Sequence, residues 1–303
     1  MQDRNKRILE FWDRGKELTI KNKEYNNFVN QVLSMLLKQD INRGDLTTNS
    51  LIKENKEICA VFIAKENGIF AGLEEFELFN RDLKIYPLKN DGDKIKQGSI
   101  LIEIKGNARK ILERERVSLN LLQRMSGIAT VTNKSINTVH NKIKIAATRK
   151  TMFGNIDKKA VSIGGGLTHR LNLNDGIIIK DNHLKILKYD IKKSLELVKN
   201  KSRYIEIEVE NKKEALTAAK AIKKIANNKS LFAVMLDKIQ PEDAKYIIKE
   251  LKNQDLYENI LFEASGNISP SNVLKYANTG VDVISMGYLT HSARVLGISQ
   301  EIK

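Results

Sequence analysis

From residue 140 onward, short apolar runs rich in β-branched residues alternate with amphipathic stretches of helical period. IKIAAT (143–148), GIIIK (176–180), YIEIEVE (204–210), LFAVML (231–236), ILFEA (260–264) and VDVISM (281–286) read as strands. Residues 185–200, 212–226, 241–253 and 270–278 read as the helices between them. Each parallel strand pair needs a long return crossing, usually a helix, so this alternation predicts a parallel sheet. Six strands fall short of the eight of a full barrel, which points to an open or modified α/β barrel.

The first half is organised differently. Residues 1–22 are strongly charged without a sustained apolar stripe and read as an N-terminal extension with room for a short helix. Phe28, Val29, Val32, Leu33, Leu36 and Leu37 fall at helical spacing, and INRGDLTT (41–48) reads as a turn-rich loop. Residues 57–105 are β-rich, with ICAVFIA (58–64), GIFAG (68–72) and SILIEIK (99–105) as strands and DGDK (91–94) as a turn. From Asn107 to about Gly127 the period becomes helical again, with Ile111, Leu112, Leu119, Leu122 and Met125 on one side. The expected division is an extension (1–22), a domain with its linking helix (23–127), open to completion by the C-terminal segment, and a barrel domain (128–303).

The formal net charge of +15 raises the question of nucleic-acid binding. Lysine dominates the excess and is spread over helix faces such as KKEALTAAKAIKKIA (212–226), with no basic arm, zinc-ligand spacing or aromatic-interleaved basic strand. A solvated lysine-rich surface accounts for it, and no nucleic-acid partner is expected. Such a field can still gather small anions within a Debye length of ~8 Å at physiological salt. No apolar run approaches the ~20 residues that span a bilayer, so no membrane partner is expected. The charged opening of the chain makes a cytoplasmic location the expectation. Cys59, the single cysteine, lies in an apolar run and reads as a structural thiol.

In parallel α/β folds ligands bind at the carboxyl ends of strands. Here those ends carry Thr148-Arg149-Lys150, Lys180-Asp181-Asn182-His183, Glu208 and Glu210, Asp237, Ser265-Gly266-Asn267 and Gly287. Arg149, Lys150 and Lys180, with His169 and Arg170 from GGGLTHR (164–170), make a cationic set that repels itself unless an anion compensates it. At an effective dielectric near 20, two such charges about 4 Å apart cost on the order of 4 kcal/mol. Arginine's fork suits a carboxylate. Glu210 and Asp237 make an acidic set suited to Mg²⁺ or ribose hydroxyls, and Ser265, Gly266, Asn267 and Gly287 offer backbone N–H groups to phosphate. Taken singly, each feature has a plainer reading: surface charges for Arg149 and Lys150, a turn for GGG, structural histidines for His169 and His183, and a solvent-facing row for Glu206, Glu208 and Glu210.

Seven segments occur in one order across roughly residues 26–300: GDLTT (44–48), ERVSLNLLQRMSGIAT (115–130), TRKT (148–151), GGGLTHRLNLNDGIIIKDNH (164–183), EVE (208–210), EASGNI (263–268) and GVDVISMGYLTHSA (280–293). In these the chain resembles the nicotinate-nucleotide pyrophosphorylases (carboxylating), or quinolinate phosphoribosyltransferases. The resemblance implies an N-terminal α/β sandwich followed by an α/β barrel of the type II phosphoribosyltransferase kind, in at least a homodimer. It implies that quinolinate is held by Arg149, Lys150, His169, Arg170 and Lys180, beside Thr148, with Arg116 reaching in from the neighbouring subunit. It assigns Glu210 and Asp237 to the ribose and Mg²⁺ of phosphoribosyl pyrophosphate, and Ser265, Gly266, Asn267 and Gly287 to its phosphate, with His291 close by. Lys150, Lys180, Glu210 and Asp237 are the expected catalytic set.

Three departures stand out. Met152-Phe153-Gly154-Asn155-Ile156 lacks the proline and the arginine usual after TRKT and makes a loop about two residues shorter. Lys238 stands where asparagine is usual, and Asn267 replaces a glycine. A molybdenum-transport-associated relative with the same fold is the near alternative, and a non-catalytic basic binding protein the distant one. KDNH (180–183) and the full cationic set favour the quinolinate enzyme.

Overall fold

The structure, a computed structural model, describes residues 4–226 and 229–303 and divides into two compact units. Residues 15–133, 152–165 and 292–303 form one, and residues up to Arg14, 134–151 and 166–291 form the other. The chain passes between the two units after Arg14, Asn133, Thr151, Gly165 and His291. The first helix, α1 (Arg4–Trp12), buries Ile8, Phe11 and Trp12 within the parallel-sheet unit instead of standing apart as an extension. Among the described residues no helix is long and apolar enough to cross a membrane.

In the smaller unit α2 (Lys23–Ile41) starts where the Asn22 side chain accepts from the Glu24 and Tyr25 N–H groups. The loop expected over 41–48 is confined to residues 42–45. Asp45 accepts from the Thr48 N–H and starts α3 (Leu46–Leu51). Strands β1 (Glu57–Ala64), β2 (Gly68–Ile69), β3 (Lys84–Pro87), β4 (Lys94–Ile95) and β5 (Ile100–Asn107), with α4 (Leu73–Phe79) between β2 and β3, precede the long α5 (Ala108–Thr138). The main sheet is antiparallel in the order β12-β1-β5-β3, where β12 (Ile298–Ile302) is the C-terminal segment completing the unit. Helix α5 runs on past Gly127, which lies against backbone; a Cβ there would sit 2.2 Å from the Arg294 carbonyl oxygen. Residues 152–165 contribute α6 (Asn155–Ile163). Cys59 is half-buried on β1.

The second unit follows the expected rhythm: β6 (Lys144–Ala146), β7 (Ile177–Ile179), α7 (Asp181–Ile186), α8 (Ile191–Val198), β8 (Tyr204–Val209), α9 (Lys212–Ile225), β9 (Leu231–Asp237), α10 (Pro241–Asn253), β10 (Leu261–Ser265), α11 (Val273–Tyr276), β11 (Val283–Ser285) and α12 (Tyr288–His291). The helix expected over 185–200 is broken into α7 and α8 by a turn in which Lys188 and Tyr189 are left-handed. The sheet order is β6-β11-β10-β9-β8-β7, every pair parallel, and Leu167 bridges to Ala146 beyond β6.

That sheet is strongly curled. In a flat sheet β6 and β8, four strand spacings apart, would lie about 19 Å from each other. Yet His169, two residues past the Leu167 bridge, brings Nε2 to 3.5 Å from Glu206 Oε2 on β8. Helix α1 fills one end of the curl, packing Ile8, Phe11 and Trp12 against Ala146, Leu167, Ala233, Leu261 and Val283. Arg4 holds this helix by a paired contact to Asp282 at 2.7 and 2.8 Å, and Arg203 holds Glu10 at 2.7 Å.

One buried acid in the smaller unit sets a pH dependence. Glu75 on α4 is fully buried, accepts from the Tyr25 hydroxyl at 2.7 Å, and is pushed by burial from the usual 4.5 to about 7. An acid whose pKa rises on folding opposes folding when ionised. The penalty is absent below the unfolded pKa and grows as pH climbs toward about 7, reaching on the order of 3 kcal/mol. Glu75→Gln should therefore gain melting temperature relative to wild type between pH 5 and pH 8, as measured by thermal denaturation at both; a gain equal at both pH values would contradict this.

Candidate active site

Alternation along the strands sorts the interior of the curl into layers. Ala233, Leu261 and Val283 meet α1 in an apolar floor. Above it a middle layer holds the buried Glu206 of β8 and Glu263 of β10, whose side chains both approach His169. At or near the carboxyl ends of the strands stand Glu208, Asp237, Ser265 and Gly287. The acidic row of β8 is thus not a solvent-facing row: Glu206 is 0% exposed.

In the middle layer His169 Nε2 lies 3.2 Å from Glu263 Oε2 and 3.5 Å from Glu206 Oε2. Burial, with the Glu263 charge second, holds the Glu206 carboxyl well above the usual range. One ligand atom from each of the three residues lies within 4.8 Å of the others, a metal-like spacing. The histidine tautomer argues against a metal. The Arg170 backbone N–H donates to His169 Nδ1 at 2.8 Å, which places the ring hydrogen on Nε2 and leaves no lone pair facing the acids. His169, expected to meet a substrate carboxylate, is turned inward in this conformation and sets the loop that carries Arg170.

Above this layer the cationic residues converge. Arg170 is buried, donates from Nη1 to the Gly176 carbonyl at 2.5 Å, and has its pKa lowered by burial and then by the charge of Arg149. Arg149 and Arg170 therefore share one field although 20 residues of chain separate them. Lys180 Nζ meets Glu208 Oε1 at 2.7 Å, and burial raises the Glu208 pKa despite that ammonium. Lys150 is exposed; its N–H bonds Thr148 Oγ1 at 3.1 Å, and its carbonyl accepts from Thr290 Oγ1 at 2.8 Å. Gly287 sits against this group: a Cβ there would lie 3.0 Å from His291 Nε2 and 3.2 Å from Lys150 Cδ. Thr148, Lys150, Gly287 and His291 are one cluster.

The acidic residues form the other side. Lys238 Nζ lies 3.1 Å from Asp237 Oδ2 and 3.7 Å from Glu210 Oε1, so the chain's own ammonium bridges the two acids. Ser265 is in register with Asp237, and the Lys238 N–H bonds the Ser265 carbonyl at 2.8 Å. Gly266 (φ 89°) and Asn267 (φ 55°) are both left-handed, and the absence of a Cβ at Gly266 leaves the backbone bare beside Asp237, a cradle. Arg116 is exposed on α5 of the smaller unit.

With this geometry established, comparison with known proteins is decisive. Residues 45–126 match the quinolinate phosphoribosyl transferase N-terminal domain and residues 128–301 its C-terminal domain. The chain belongs to the quinolinate phosphoribosyltransferase family. It is 38% identical over 282 residues to the probable nicotinate-nucleotide pyrophosphorylase [carboxylating] of Methanothermobacter thermautotrophicus, covering 90% of this chain and 98% of that protein. It is 37% identical over 286 residues to the quinolinate phosphoribosyltransferase [decarboxylating] 2a, mitochondrial, of Nicotiana tabacum, covering 89% and 81%. The solved nicotinate-nucleotide pyrophosphorylase from Francisella tularensis superposes with a TM-score of 0.78 at 33% identity, covering 92% of this chain and 97% of that one.

Within this family frame, the middle-layer pair Glu206 and Glu263 and the N-terminal residues Trp12 and Arg14 are what reading the sequence missed. Glu206 alternates with Glu208 and Glu210, and only the curl reveals that its row faces inward. Gly266 yields a direct test of the cradle. A Cβ there would meet the Lys238 backbone nitrogen at 2.7 Å and Asp237 Oδ1 at 2.9 Å, in a left-handed conformation. Gly266→Ala should lose about 1–3 kcal/mol of stability and most of its activity, read by thermal denaturation and turnover; a fully active variant with unchanged melting would count against the cradle.

Proposed function

We propose that this chain transfers the phosphoribosyl group of phosphoribosyl pyrophosphate to the ring nitrogen of quinolinate. Carbon dioxide and pyrophosphate leave, and nicotinate mononucleotide results. The observation that carries the site assignment is the opposition of charge at the strand ends, with Arg149 and Arg170 in one field, Asp237 beside Gly266, and Glu210 joined to Asp237 through Lys238.

Quinolinate is a dianion whose carboxylates suit the guanidinium forks of Arg149 and Arg170 and the ammonium of Lys180. Binding it relieves the Arg149 repulsion, which adds to burial in lowering the Arg170 pKa. The phosphate of the second substrate takes the backbone N–H groups of Ser265, Gly266, Asn267 and Gly287, with His291 and Lys150 beside Gly287. The acids suit Mg²⁺ as hard oxygen donors next to a cradle that a Cβ would fill. Glu210 and Asp237 would hold it, with Lys238, 61% exposed, turning aside. Bound with the pyrophosphate, Mg²⁺ supplies neutralisation of the leaving group's charge.

As the bond from the anomeric carbon to pyrophosphate breaks, the quinolinate nitrogen forms the new bond. The resulting pyridinium then accepts the electron pair left at C2 when the adjacent carboxylate departs as carbon dioxide, and a proton replaces it. Positioning and fixed charge supply the acceleration, and no covalent enzyme intermediate is required.

Purified protein incubated with quinolinate, phosphoribosyl pyrophosphate and Mg²⁺ should form nicotinate mononucleotide, and chelation of Mg²⁺ should stop it. Lys150→Ala should lower kcat/KM on the order of 100-fold; undiminished turnover would remove its role. We also propose that Arg116 serves the site of a second copy. Mixing Arg116→Ala with Lys150→Ala protein should then restore part of the activity, and mixed dimers with none would exclude sharing.

A further inference from the structure

The N-terminal segment does more than fill the end of the curl. Its last residues make a set of bonds to the loop that carries Arg170. The Trp12 carbonyl accepts from the His169 N–H at 2.7 Å, and the Arg14 N–H donates to Thr168 Oγ1 at 2.7 Å. Arg14 Nε donates to Asp175 Oδ1 at 2.9 Å, while Asp175 Oδ2 accepts from the Leu171 N–H at 2.9 Å. The Arg14 guanidinium also stacks 4.2 Å over the Tyr204 ring and bonds the Glu10 and Asp13 carbonyls at 2.9 Å. Arg14 is only 7% exposed.

The loop needs such support. His169 has φ 56°, a left-handed conformation that a residue with a Cβ holds only when its surroundings over-determine it. The loop ends are fixed by the Leu167–Ala146 bridge and by the Arg170 bond to Gly176. Between them, the chain's first residues supply the acceptor for the His169 N–H and the counter-charge for Asp175. If His169 relaxed to negative φ, the following peptide would turn and carry the Arg170 side chain out of the field it shares with Arg149.

We infer that Arg14 and Trp12 are positioning residues for quinolinate: they clamp the 167–175 loop in the conformation that aims Arg170 at the substrate. The inference rests on the assignment of Arg170 to quinolinate made above. The clamp is separable from the anchoring of α1, which is also held by Arg4 to Asp282 and by Arg203 to Glu10.

The test compares Arg14→Ala with Arg203→Ala, which removes the Glu10 contact of the same helix. Loss of a buried, charge-assisted bond predicts that Arg14→Ala raises KM for quinolinate about tenfold or more. KM for phosphoribosyl pyrophosphate should change less than about twofold, because the cradle lies on other strands. Arg203→Ala should lower the melting temperature yet leave quinolinate KM within about twofold of wild type. Trp12 is the only tryptophan in the chain, so its fluorescence reports the clamp directly. Quinolinate should change the emission of wild-type protein, and the titration should move to higher concentration in Arg14→Ala.

Equal effects of Arg14→Ala and Arg203→Ala on quinolinate KM, or unchanged quinolinate affinity in folded Arg14→Ala, would reduce the segment to a plug and overturn the inference. If Arg14→Ala does not fold, Asp175→Asn, which keeps the shape and removes the charge, carries the same expectation and the same refutation. Wild-type turnover of quinolinate is measured first, so failure of the clamp is distinct from failure of the function.

Discussion

The contact between His169 and the buried pair Glu206 and Glu263 is possible only because the parallel sheet curls. That curl underlies the rest of the second unit. It turns alternate residues of every strand toward a shared interior and gathers strand ends that are far apart in sequence. A flat sheet of the same six strands would leave Arg170 and Glu208 on opposite margins. Curled, it sets Arg170 in the field of Arg149, Glu206 and Glu208.

Placing acids inside an otherwise apolar curl is unfavourable unless they stay neutral or find partners. Here burial and the charge of Glu263 hold the Glu206 carboxyl well above its usual range, and both acids lie against the ring of His169. The middle layer is thus polar and enclosed, whereas the layer at the strand ends carries side chains that reach solvent. The ammonium of Lys238 completes the acidic part of that outer layer.

The fold was legible in the sequence to a large extent, for a physical reason. Strand residues buried on both faces read as continuous apolar runs, and helices packed on a sheet keep a 3.6-residue stripe. The six runs named from the sequence became β6 to β11 with shifts of a residue or two at their ends. Local capping was the harder signal. Asp45 begins a helix where turn-forming residues suggested a loop, because one carboxylate satisfying the Thr48 N–H outweighs weak propensity. Residues 4–12 lacked a long apolar stripe because only three side chains, Ile8, Phe11 and Trp12, need to be buried to seal the curl.

What the sequence by itself determined is the inventory: a parallel α/β unit, polar and glycine residues closing each strand, and motifs specific to one family. Those follow from periodicity and residue chemistry, which are local properties. Tertiary structure alone decided which of these residues meet. It turned His169 inward onto Glu206 and Glu263, bridged Asp237 and Glu210 with Lys238, and brought Arg14 across 161 residues of chain to Asp175. Such pairings depend on sheet curvature and on the packing of a distant helix, and no local pattern encodes either.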